Sequence, residues 1–151
     1  MSFDIVTGNL FDPSFGFNGI AQGVNTLGVM GAGIAVEFRN RWPMMYNEYR
    51  LLCKRFGPAL GGSLHAWHDS RDTDLVIFNM FSQIDPGKNG SYDLLRKSAV
   101  QMVIDAERRH HNRVGLPWIG CGIAGLAKHN VSEILHDVLD ESEVDFTLVE
   151  Q

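Results

Sequence analysis

The chain has 151 residues, 44% hydrophobic and 21% charged, the make-up of one globular domain with one ordinary core. Its formal net charge of −5 argues against an extended nucleic-acid surface, which needs a basic face, but leaves room for a small anion held by backbone amides. No run is long and apolar enough to be a membrane span or a secretion signal, and Cys53 and Cys121 lie far apart and read as reduced thiols; the expectation is a cytoplasmic protein without a membrane partner.

In chain order, Phe3–Val6 alternates and ends β-branched before the turn signal Thr7-Gly8-Asn9, so it reads as a strand. Ile20–Asn25 reads as a second. Ile34, Ala35 and Phe38 stand at helical spacing within 33–41. Pro43 closes that helix and suits the first turn of another, which runs to Phe56 and stops at Gly57-Pro58. Ser63–His68 is strand-like, and Leu75–Phe81 is a near-continuous apolar run of the kind buried on both faces of a sheet. Ser91–His110 is the longest helical segment, with Leu94, Leu95, Ala99, Met102, Val103 and Ala106 as its stripe. A strand over Arg113–Ile119, a helix over Asn130–Leu139 and a closing strand over Val144–Val149 complete the chain. Strands alternating with helices predict an α/β fold with a largely parallel sheet. No repeat, low-complexity tract or linker divides it, so residues 1–151 read as one domain.

Two junctions carry the chemistry. In VNTLGVMGAGIAVEF, residues 24–38, glycines follow a strand and lead straight into a helix; in LPWIGCGIAGL, residues 116–126, the same happens again. Glycine removes the Cβ that keeps a ligand away from backbone N–H groups, and a helix start adds free donors and a positive dipole end. Together they make an anion seat, most often for phosphate. Ligands of open α/β sheets gather at the carboxyl ends of the strands, where two such loops can grip both halves of a diphosphate. Neither loop matches G-x-x-x-x-G-K-[ST], and Gly31-Ala32-Gly33 is followed by Val36 where a dinucleotide fingerprint has glycine or alanine.

TGNLF after the first strand, VNTLGVMGAGIAVEFRNRWP, the apolar LVIFNMFSQ and LPWIGCGIAGL, in that order, resemble the macrodomain family. The likeness is nearest to the branch of terminal ADP-ribose glycohydrolases and DNA de-ADP-ribosylating antitoxins. It implies a three-layer α/β/α fold around a mixed, largely parallel sheet. The implied partner is ADP-ribose, free or attached to a macromolecule, with no cofactor and no metal. Asn9, with Leu10 beside it, stands where the family usually has an aspartate that accepts from the adenine amino group; Asn9 either makes that contact without charge assistance or serves its own turn. Asn25 matches the asparagine that bonds the distal ribose. Gly31, Ala32, Gly33, Ile34 and Ala35 match the first phosphate loop. Gly120, Cys121, Gly122, Ile123, Ala124, Gly125 and Leu126 match the second.

Enzymes of that branch use a lysine just after the central strand as nucleophile and an aspartate in or after the second loop. Here the lysine position holds Gln83, whose amide has no basic lone pair, and the second loop has no carboxylate. Lys88 and Asp85 lie in the loop beyond and read as solvated. The resemblance therefore leaves two functions. One is a hydrolase of ADP-ribosyl esters or ADP-ribose 1″-phosphate, with Asn25, Gln83 and loop amides positioning a water. The other is a non-catalytic ADP-ribose reader.

Other residues carry plainer readings. His65 and His68 face opposite sides of a strand and do not converge on an ion. His110-His111 suits a helix end, and His129 reads as surface. Cys121 sits where a helix start can lower a thiol pKa but has no histidine partner and reads as packing. Trp67 and Trp118 read as core or rim aromatics, Trp118 standing one step before the second loop. Phe15 or Phe17 is expected to stack on the adenine.

Overall fold

The computed structural model describes residues 2–71 and 74–151. Six strands and four α-helices follow in the order β1 (Ser2–Thr7), β2 (Gly19–Val24), α1 (Ile34–Arg41), α2 (Pro43–Phe56), β3 (Leu64–His68), β4 (Val76–Phe81), α3 (Tyr92–Arg108), β5 (Arg113–Leu116), α4 (Lys128–Leu139) and β6 (Asp145–Glu150). Short 3-10 turns at Pro13–Phe15 and Gly57–Leu60 complete it. The sheet order is β1-β6-β5-β2-β4-β3. Every pairing is parallel except β3 with β4, so the sheet is mixed and largely parallel.

Helices cover both faces. Residues of α3 and α4 bury one apolar cluster with Phe78, Met80, Leu116 and Phe146, while α1 and α2 bury a second with Ile77 and Phe81. Successive β4 residues thus feed opposite clusters, as a two-faced strand requires. Parallel pairing brings the last residues of β1, β2, β4, β5 and β6 to one edge of the sheet.

Three features depart from the sequence reading. β5 ends at Leu116 rather than Ile119, because Pro117 has no N–H for the ladder. Helix α4 begins two residues early, at Lys128. Within the apolar β4 run, Asn79 is wholly buried and belongs to a polar row across three strands. Gln22 Nε2 donates to Asn79 Oδ1 at 2.9 Å, the Asn79 amide lies 3.0 Å from His65 Nδ1, and His65 Nε2 lies 2.6 Å from the Glu48 carboxylate on α2. The register puts Gln22 and His65 directly opposite Asn79, which is why the row forms. Gln22 Oε1 stays buried without a partner.

Candidate functional site

Three loops leave the carboxyl edge of the sheet and are tied to one another. The first, after β2, is held from beneath. The Tyr49 hydroxyl of α2 donates to the Asn25 carbonyl at 2.7 Å and its Oδ1 at 3.1 Å. Burial pushes the Tyr49 pKa well up, so it remains a donor. Asn25 Oδ1 also accepts from the amides of Leu27 and Val29, and its Nδ2 donates to the Val29 carbonyl at 2.8 Å. The second loop follows β4. Its Ile84 carbonyl accepts from both the amide and the hydroxyl of Thr26, at 2.9 and 2.8 Å, joining it to the first loop. The Gly90 amide donates to the Ala124 carbonyl at 3.0 Å, joining it to the third loop, between β5 and α4.

Between them lies a cleft of two adjoining lobes. The distal lobe, about 320 Å³, is lined by both glycine runs, Gly31–Ala35 and Gly120 with Gly122–Ala124, together with Asn25, Ser82 and Gln83. The second lobe, about 410 Å³, is lined by Asn9, Leu10 and Phe11, the Cys121 side of the third loop, and Glu37, Lys128 and Glu150. Ile34, Pro117, Trp118 and Gly122 border both lobes. Lys128 stands over the Trp118 ring at 5.5 Å, and Trp118 Nε1 donates to Glu150 at 3.0 Å, which fixes the ring between the lobes.

The glycines differ in what requires them. Gly33 opens α1 at φ 62°, a left-handed value that side chains disfavour; its carbonyl accepts from the Val36 amide at 3.2 Å, and no side chain caps the helix. Gly122 needs neither an unusual φ nor room for a neighbour, since a Cβ there meets nothing within 4 Å. That open space is the cleft, so the fold alone gives no reason for glycine at 122.

Some of the expected residues line neither lobe, and others border a lobe while packed or bonded within their own loops. Gly125 and Leu126 line neither lobe; Gly125 packs under the Lys88 stem and Leu126 against Gly90 and Gly120. Leu10 borders the second lobe but is only 4% exposed and packs into the core cluster. Asn9 Oδ1 accepts from the Phe11 amide at 2.9 Å, the bond of its own turn. Phe15 and Phe17 stack on each other at 5.0 Å and line neither lobe. Phe17 fills the space above Gly115, so the aromatics bordering the second lobe are Phe11 and Trp118. Gln83 donates from Nε2 to the carbonyls of Asp85, at 2.7 Å, and Gly87, at 3.3 Å, folding the second loop over the cleft. Burial pushes the Cys121 thiol up despite nearby Lys128, contrary to the activation a helix start would give. Among the described residues no side chain lining the distal lobe is charged, and no group of three or more His, Cys, Asp or Glu is placed to hold a metal ion. Sequence reading missed Tyr49 and Thr26, whose value lies in contacts between elements distant in sequence.

A family model described as Macro domain matches residues 21–135, and the chain belongs to that family. The DNA ADP-ribosyl glycohydrolase of Thermus aquaticus is 24% identical over 138 residues, 91% of this chain but 38% of its own length. That of Mycobacterium tuberculosis is 47% identical over 38 residues, 25% of this chain and 11% of its own. The chain thus spans well under half the length of these curated relatives. Among solved structures, the macrodomain of Thermus aquaticus DarG matches with a TM-score of 0.86 at 24% identity, over 99% of this chain and 98% of that one. Thermosipho africanus DarTG in complex with ADP-ribose matches at 0.86 and 17% identity, over 100% of this chain and 42% of that one.

Proposed function

We propose that the two-lobed cleft binds ADP-ribose, free or conjugated, with the diphosphate against the amides of the two glycine runs. The observation that carries this reading is the convergence of both runs on one cleft, with a glycine at 122 that the fold does not require. Membership of the Macro domain family and the likeness to an ADP-ribose complex support it. The adenosine half goes to the lobe bordered by Phe11 and Trp118, and the distal ribose to the lobe bordered by Asn25, Ser82 and Gln83.

The relatives' printed activity, release of ADP-ribose from DNA, comes to this chain only as a candidate. In the resembled branch that reaction uses a lysine, and here Gln83 occupies the position with its amide N–H groups engaged by its own loop. Recognition is therefore the primary reading. Any hydrolysis of an ADP-ribosyl ester or of ADP-ribose 1″-phosphate runs through a water held by loop amides and the substrate's own phosphate. Calorimetric titration with ADP-ribose tests the binding. Heat is expected from the wild type, and its loss is expected in Gly33→Val, where a β-branched residue at positive φ spoils the phosphate seat. Absence of heat in a folded wild type overturns the reading. Product analysis on a glutamyl ADP-ribose ester and on ADP-ribose 1″-phosphate separates reader from hydrolase.

A further inference from the structure

Charge is unevenly spread around the cleft. No side chain bordering the distal lobe is charged, while the second lobe is bordered by two carboxylates, Glu37 and Glu150, and by Lys128. Among the described residues Lys128 is therefore the sole cation bordering either lobe. Without it, a diphosphate crossing the second lobe meets two carboxylates, and backbone amides set only partial positive charge against them.

Lys128 is also unpaired. Glu37 and Glu150 border the same lobe, yet among the described residues Lys128 forms an ion pair with neither. Glu150 instead accepts from Trp118 Nε1 at 3.0 Å. The Lys128 side chain is exposed, and its amine stands 5.5 Å from the centre of the Trp118 ring, which borders both lobes. Its charge also reaches Cys121 of the third loop, opposing the upward push of burial on that thiol. The amine thus overlies the ground where the two lobes and the third loop meet.

The position does nothing for its own helix. Lys128 is the first residue of α4, whose positive dipole end disfavours a lysine, and no acid occupies that turn to offset it. Ala127, the residue before it, has no side chain able to cap the helix. The Tyr92 hydroxyl of α3 accepts from the Ala127 amide at 3.0 Å and from Asn130 Nδ2 at 3.3 Å in its place. Tyr92 thereby fixes the base of Lys128, and the flexible four-carbon stem lets the amine move to meet a ligand.

We propose that Lys128 is a specificity-determining residue of the cleft, its ammonium group bonding the adenosine-side phosphate while loop amides hold the rest of the diphosphate. In this role Lys128 rests on the ADP-ribose reading and adds to it a side chain that meets phosphate with a full charge. A nucleoside lacking that phosphate gains nothing from the lysine, so the cleft selects nucleotides by their diphosphate as well as by their sugars.

The test is calorimetric titration with ADP-ribose at low and high salt, on the wild type, Lys128→Met and Lys128→Arg. Methionine keeps much of the apolar stem and removes the charge. Affinity is expected to fall roughly tenfold or more in Lys128→Met, as loss of a charge-assisted bond requires, and to stay within about threefold of wild type in Lys128→Arg. Wild-type affinity should weaken as salt rises, and more shallowly in Lys128→Met, because the screened charge is gone. Wild-type affinity in Lys128→Met overturns the proposal. So does a loss of affinity with unchanged salt dependence, the result expected of a stem that only packs on Trp118. Absence of heat in a folded wild type removes the ADP-ribose reading and this role with it, whereas heat that is indifferent to the lysine removes this role alone.

Discussion

At the scale of single residues, the cleft is built by what is left out. Gly122 borders both lobes, and a side chain there would project into the space a ligand needs. Because the backbone is not in the left-handed region and nothing lies within 4 Å, alanine at 122 is tolerable to the fold. Gly122→Ala is expected to leave the melting temperature unchanged or slightly raised, since alanine restricts the unfolded chain. The same change should weaken ADP-ribose binding at least tenfold by calorimetry. A variant that binds as well as wild type would move the diphosphate away from the third loop. Glycines at 19 and 115 have a different reason: a Cβ there would press into the rings of Phe78 and Phe17 respectively.

At the scale of elements, loop order depends on helix α2 more than on the loops themselves. Tyr49 is wholly buried, stacks on Phe81 at 5.9 Å, and carries both bonds to Asn25. Tyr49→Phe keeps the ring but strips the Asn25 carbonyl of a donor in a buried setting. The expected loss of stability is about 1 to 2 kcal/mol in denaturant titration. Weaker ADP-ribose binding should accompany it, because the 25–29 turn is freed. A variant with lowered stability but full affinity would show that the turn is held adequately by its Thr26–Ile84 bonds. Neither Tyr49 nor this tie was legible in sequence, since a tyrosine inside a helical stripe looks like any other core aromatic. The polar row Gln22–Asn79–His65–Glu48 was hidden for a similar reason. Asn79 lies in a run whose other members are apolar, and only strand register reveals that two polar residues face it.

At the scale of the whole molecule, the charged groups divide by edge and face. His111 lies at the amino edge of the sheet, opposite the cleft, against Phe78 and with a buried Nδ1 lacking a partner. Burial, with repulsion from Arg109 and His68, holds its pKa below the ordinary 6.5, against the opposing attraction of Asp105 and Asp74. The folded state therefore keeps His111 neutral where the unfolded chain takes up a proton. Its contribution to stability is full above 6.5 and is lost as pH falls from there through the lower folded value. Thermal melts should show stability declining as the solution is acidified below about 6.5, with a shallower decline in His111→Phe. An unchanged slope in that variant would assign the acid sensitivity to other groups. The net charge of −5 likewise misleads when read alone, because it averages a basic α1–α2 segment with an acidic remainder.

The sequence by itself determined the alternation of strands and helices and the two strand-to-glycine-loop junctions. Those features are local: periodicity, proline and glycine act within a few residues of themselves. Tertiary structure decided which loop residues border the cleft, because convergence depends on strand order and on ties such as Tyr49 to Asn25 and Gly90 to Ala124. It also decided that Phe15 and Phe17 pack on one another rather than line the cleft, and that Asn79 has partners. A side chain's neighbours come from distant parts of the chain, and no window of sequence contains them.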